Sequence, residues 1–176
     1  MKEQGKGKAI ILVKYLTFIL YLLMLVYVVL LKRGMALRIA AYARERYTWL
    51  DRLKNINYVP FSTISYYLFE EDNIRTALTQ LLGNILAFCP MGFLVPSLIK
   101  KKNKLKSTLL TTALIGLIIE ATQGIFILGS FDIDDLILYV IGGAIGYLAY
   151  IACEALIKFI RSSSQWKEED VIIRRL

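Results

Sequence analysis

Apolar residues run almost unbroken through four stretches of the chain, 10–31, 76–99, 108–128 and 136–160, and most charged residues fall between them. A run of about 20 apolar residues matches the roughly 30 Å hydrocarbon core of a bilayer at about 1.5 Å per helical residue, so the pattern predicts four membrane-spanning helices. The first run follows a short basic start, is longer than the apolar part of a signal peptide and is followed by no small-residue cleavage pattern, which makes it a retained span. Lys14, near its beginning, is placed to snorkel toward the headgroups. The second run holds Asn84, Pro90 and Pro96; Pro90 deletes a backbone donor, and with Gly92 it predicts a kink. The third carries Glu120 and Gln123, and the fourth is opened by Asp132, Asp134 and Asp135. Gly142, Gly143 and Gly146 leave one face of the fourth helix smooth, which permits close helix packing and would carry Tyr139 toward Glu120 or Asn84.

Between the first two runs lies a mixed-charge segment rich in Tyr, Trp and Phe. Residues 35–54 have the spacing of an interfacial helix, with a solvated loop carrying anchoring aromatics as the alternative. Asn57-Tyr-Val-Pro60 ends that segment, because the residue before a proline is pushed toward extended geometry. Lys100, Lys101, Lys102, Lys104 and Lys106 form the densest charge run, and residues 161–176 a polar tail, short and amphipathic or disordered. The fold class expected is all-α: a membrane helical bundle of four transmembrane helices with an interfacial helix in the first outer loop. Residues 1–160 form the membrane domain and 161–176 a cytoplasmic tail.

Composition narrows the chemistry. Apolar residues make up 57% of the 176, which places the chain in the membrane class. The formal charge of +8 is then a matter of topology and anionic lipid, and no recognition motif points to nucleic acid. With the N-terminus inside, fourteen of the 22 basic residues lie on the cytoplasmic side and the other eight in the first outer loop, which favours both termini in the cytoplasm. The chain has no histidine, which removes Ser-His-Asp and Cys-His chemistry and His-rich metal sites. Cys89 and Cys153 sit in apolar runs, where thiols are inert. Any catalysis would fall to carboxylates, tyrosines, lysines or an oxygen-bound metal ion.

On that topology Asn84 and Glu120 lie at similar depth, each about 12 Å in from the outer end of its run. Gln123 shares a face with Glu120, and the aspartates follow at the rim. The plain structural role for an aspartate there is to cap the fourth helix, which accounts for at least one of the three. Asn84 has a plain role too, as a hydrogen-bond partner for a neighbouring helix. The functional expectation is a ligand-binding pocket, open to the outside, formed by Asn84, Glu120, Gln123, Asp132, Asp135 and Tyr139.

The run Glu120-x-x-Gln123, Gly129, Asp132-Ile-x-Asp135-x-Ile137, Gly142-Gly143 and Gly146 resembles the VanZ-like family of small bacterial membrane proteins. Asn84, Phe88-x-Pro90-x-Gly92 and Pro60-Phe61 extend the resemblance over roughly residues 10–150. It implies a protein of four or five helices in the bacterial cytoplasmic membrane, and the family is named for a member that lowers susceptibility to the lipoglycopeptide teicoplanin. The shared polar set is Asn84, Glu120, Gln123, Asp132 and Asp135; Tyr139 departs from it, standing where members often carry Asn. The first functional expectation is a non-enzymatic envelope protein without a cofactor, whose partners are membrane lipids, a lipid-linked cell-wall intermediate or a lipoglycopeptide. The alternative is a membrane enzyme using a carboxylate pair, or Mg²⁺ or Ca²⁺ held by carboxylates, on a lipid-linked phosphate or sugar, with Arg44, Arg46, Arg52 and Arg75 near the phosphate. A transporter is disfavoured by four short helices without an internal repeat.

Overall fold

The computed structural model describes residues 2–31, 56–126 and 130–173. Helix α1 (Lys2–Val26) passes into a π-helical turn, Tyr27–Leu31, and a short α2 (Ser62–Phe69) precedes three long helices, α3 (Ile74–Leu98), α4 (Lys104–Phe126) and α5 (Ile133–Ile173). Among the described residues, four segments are long and apolar enough to cross a membrane: Gly7–Val29, Ile74–Leu98, Lys104–Ile125 and Ile133–Ser162. The chain is an all-α membrane bundle. Its one β-type pairing among the described residues is a parallel bridge between Asn57 and Asp132. The interfacial helix expected at 35–54 lies outside the described residues.

The long helices start on short polar side chains. The Asn73 side chain accepts from the N–H groups of Arg75 (3.0 Å) and Thr76 (3.3 Å) to cap α3, and Asn103 accepts from the Lys106 N–H (3.1 Å) at the start of α4. α3 stays helical through Pro90 and Pro96. Pro90 supplies no N–H to the preceding turn, and there the Tyr21 hydroxyl of α1 donates to the Ala87 carbonyl (2.9 Å). α5 does not stop at Ile160 but continues to Ile173, because no glycine or proline follows Gly146 to end it. The polar segment expected from residue 161 thus begins as a continuation of the same helix.

α3 and α5 make the closest pairing in the bundle. A β-carbon added at Gly142 would collide with the Ile85 carbonyl, and one added at Gly146 with the Cys89 carbonyl. The backbones touch at those points because nothing larger than hydrogen intervenes. Around this seam Phe88, Met91, Val95, Ile119 and Tyr139 form the core together with Leu25 of α1. Most other apolar residues of α1, Leu20 and Leu23 among them, face outward, as lipid contact requires.

Substituting Gly142→Ala should separate α3 from α5 and lower the thermal midpoint of the purified protein, at a cost of about 1–3 kcal/mol typical of overpacking. At Gly83 no atom lies within 4 Å of an added β-carbon, so Gly83→Ala should leave the midpoint unchanged or raise it.

Candidate functional site

Glu120 is fully buried although it lies only six residues before the end of α4. Its Oε2 accepts the backbone N–H of Asp132 (3.0 Å) and its Oε1 accepts the Tyr139 hydroxyl (2.7 Å). Tyr139 reaches it because the ring stacks on Phe88, centroids 4.0 Å apart and planes 20° apart, and lies against Gly116, where a β-carbon would come within 2.8 Å of it. The glycine seam and the aromatic stack thus aim a phenol at a carboxylate. A buried polar group left without partners costs about 1–3 kcal/mol, so these two bonds offset much of the cost of carrying the group into the bundle.

Asp132 and Asp134 form the layer above. Asp132 Oδ1 accepts the Asp134 N–H (2.8 Å), which makes Asp132 the cap of α5, and it also accepts Asn57 Nδ2 (2.8 Å). The other oxygen, Oδ2, accepts the Thr63 hydroxyl (2.7 Å). The Asp134 side chain, fully buried, caps a different helix. Its oxygens accept the N–H groups of Phe61 (2.5 Å), Thr63 (2.7 Å) and Ile64 (3.1 Å) at the start of α2. The residue before α2 is Phe61, which has no side-chain oxygen to cap with and sits in the left-handed region at φ 67°. Its strain of about 1–3 kcal/mol is offset by the carboxylate it faces.

Asn57 ties these parts together. Its N–H donates to the Phe131 carbonyl (2.9 Å) and its carbonyl accepts from the Ile133 N–H (3.0 Å), the two bonds of the parallel bridge. The side chain donates to Thr63 Oγ1 (2.9 Å) as well as to Asp132, and accepts from the Val59 N–H (3.1 Å) and the Ser62 hydroxyl (2.9 Å). Residues 56–64 are therefore a strap bound across the start of α5.

Of the residues expected at one pocket, Glu120, Asp132 and Tyr139 are brought into direct contact. Asn84 joins from α3 by donating Nδ2 to Asp135, and both residues are half-buried, at the edge of the layer. Gln123 is placed elsewhere: it is buried and donates to the Val29 carbonyl (3.4 Å) in the π-helical turn, where the ordinary helical bonding is altered. Asn57 and Thr63, which no sequence pattern assigns to the site, are central to the network, as is Asp134, expected at the rim as a cap. Their trace in the sequence is an Asn followed by a Pro-containing turn and then Ser62-Thr63, a pattern for a helix start. Both oxygens of Glu120, Asp132 and Asp134 accept from protein donors. Among the described residues no group of three or more His, Cys, Asp or Glu is gathered as a metal ion would need.

Replacing Asp134 by Asn puts an NH₂ group where one carboxylate oxygen accepts backbone N–H groups. Hydrogen exchange at the amides of Phe61, Thr63 and Ile64 should accelerate roughly ten- to a hundredfold, the equivalent of one charge-assisted bond. Asp135→Asn should leave those three amides protected.

No curated protein and no solved structure matches the chain. The family model described as VanZ/LLP1 matches residues 18–158, a stretch that includes the strap, the glycine seam and every carboxylate of the layer. The chain belongs to the VanZ/LLP1 family.

Proposed function

We propose that this end of the bundle faces the cell exterior and binds the polar headgroup of a lipid or lipid-linked cell-wall intermediate, lowering susceptibility to lipoglycopeptides such as teicoplanin. The observation that carries the reading is the half-buried pair Asn84 and Asp135, at the edge of a layer whose deeper carboxylates are already held by protein donors. A rigid floor with a hydrogen-bonding rim suits a ligand rich in hydroxyl, amide or amine groups. Exposed Tyr58, Tyr66 and Phe69 beside the strap suit the boundary between headgroups and acyl chains, where such a ligand would present itself. A carboxylate- or metal-dependent enzyme is less favoured, because Glu120, Asp132 and Asp134 would first have to release their helix starts.

The reading is tested in a teicoplanin-sensitive host. Asp135→Asn and Asn84→Leu should return the inhibitory concentration toward that of the host without the gene, and direct binding of the intermediate should weaken roughly tenfold. Full protection by both variants at equal expression counts against the site.

The orientation is read from the lysine run and tested separately. With Cys89 and Cys153 replaced by Ser, a cysteine at position 69 should react with a membrane-impermeant thiol reagent on intact cells, and one at position 102 only after lysis. The reverse pattern would place the carboxylate layer at the cytoplasmic face.

A further inference from the structure

The opposite end of the bundle carries the turn between α3 and α4, with Lys100, Lys101 and Lys102 exposed on it and Lys106 exposed in the first turn of α4. Two cross-links fix its level against the flanking helices. Lys14 of α1 donates to the Ser97 carbonyl (3.3 Å), answering the negative end of α3, and Lys104 donates to the Tyr150 hydroxyl of α5 (2.7 Å) and lies 3.7 Å from Glu154. Lys104 also lies over the Tyr150 ring, 5.0 Å from its centroid.

Both flanking helices run on past that level. α1 is antiparallel to α3, so Ile10, Ile11 and Val13 lie beyond Lys14, about 2–6 Å further out, and all three are more than half exposed. α5 is antiparallel to α4, so Leu156, Phe159 and Ile160 lie beyond Glu154, up to about 9 Å further, and they too are exposed. The headgroup layer on one side of a bilayer is about 5–8 Å deep. Apolar side chains on both flanks therefore hold the lysine turn at the depth of the lipid phosphates, short of bulk water.

The charge of the turn is hardly opposed. No Asp or Glu occurs between Asp72 and Glu120, and the nearby Glu154 is engaged with Lys104 and Tyr150. The start of α4 adds the positive end of a 23-residue helix. We propose that the turn between α3 and α4 is a binding surface for anionic phospholipid. Lys100, Lys101, Lys102 and Lys106 meet phosphodiester groups at headgroup depth, while Lys104 serves the protein by locking α4 to α5. This assignment does not depend on the role of the carboxylate layer.

The test is the association of spin-labelled phosphatidylglycerol, relative to spin-labelled phosphatidylcholine, with protein reconstituted in phosphatidylcholine bilayers. The wild-type protein should prefer the anionic lipid, and Lys100→Gln/Lys101→Gln/Lys102→Gln should lose most of that preference, bringing the ratio near one. The comparator Lys6→Gln/Lys8→Gln/Lys158→Gln removes the same charge from flanking helices and should keep it. None of the three turn lysines lies in a helix, so folding is not at stake. An unchanged ratio in the turn variant, or an equal loss in both variants, overturns the proposal. Displacement of the labelled lipid by millimolar inorganic phosphate would also overturn it, since the surface would then be a site for free phosphate.

Discussion

A carboxylate carried into a membrane bundle has to find hydrogen-bond donors there, and the organisation of this protein follows from where they come from. Helix starts supply them, since the first turns of a helix have N–H groups with no partner inside the helix. Glu120 takes the N–H of the residue that opens α5, Asp132 takes one from the first turn of α5, and Asp134 takes those of α2. Three acidic side chains and two helix starts thereby satisfy one another. The helix dipoles reinforce the arrangement, because both starts present positive partial charge to the layer.

The layer forms only if the long helices stand at the right separation, and small residues set that. Where α5 touches α3 the two backbones are in contact, and this brings Phe88 under Tyr139 and Asn84 to Asp135. A bundle spaced by larger side chains would hold the same polar residues out of reach of one another. Packing in the apolar middle and hydrogen bonding at the polar end are thus one problem solved together, with Tyr139 belonging to both.

The sequence disclosed the spans because apolar length is a strong constraint in a bilayer, and it disclosed the glycine seam because its spacing has few other uses. The approach of Tyr139 to Glu120 followed from those two. For Gln123, helical spacing gives a face but not the identity of the neighbour, which is a π-helical turn that periodicity does not reveal. Its position at a helix start makes Asp134 a natural cap for its own helix, whereas it caps α2, some 70 positions earlier in the chain. No local pattern encodes that pairing. Composition marks where the apolar span ends, near Ser162, but not where the helix ends, since nothing in the polar segment that follows stops it before Ile173.

The length of α5 has a geometric consequence. Its 41 residues make a rod about 60 Å long, with its first turn clasped by the strap and its middle pressed against α3. That is about twice the roughly 30 Å hydrocarbon thickness of a bilayer, so a helix clasped at one rim of the bundle has its last turns standing well clear of the other.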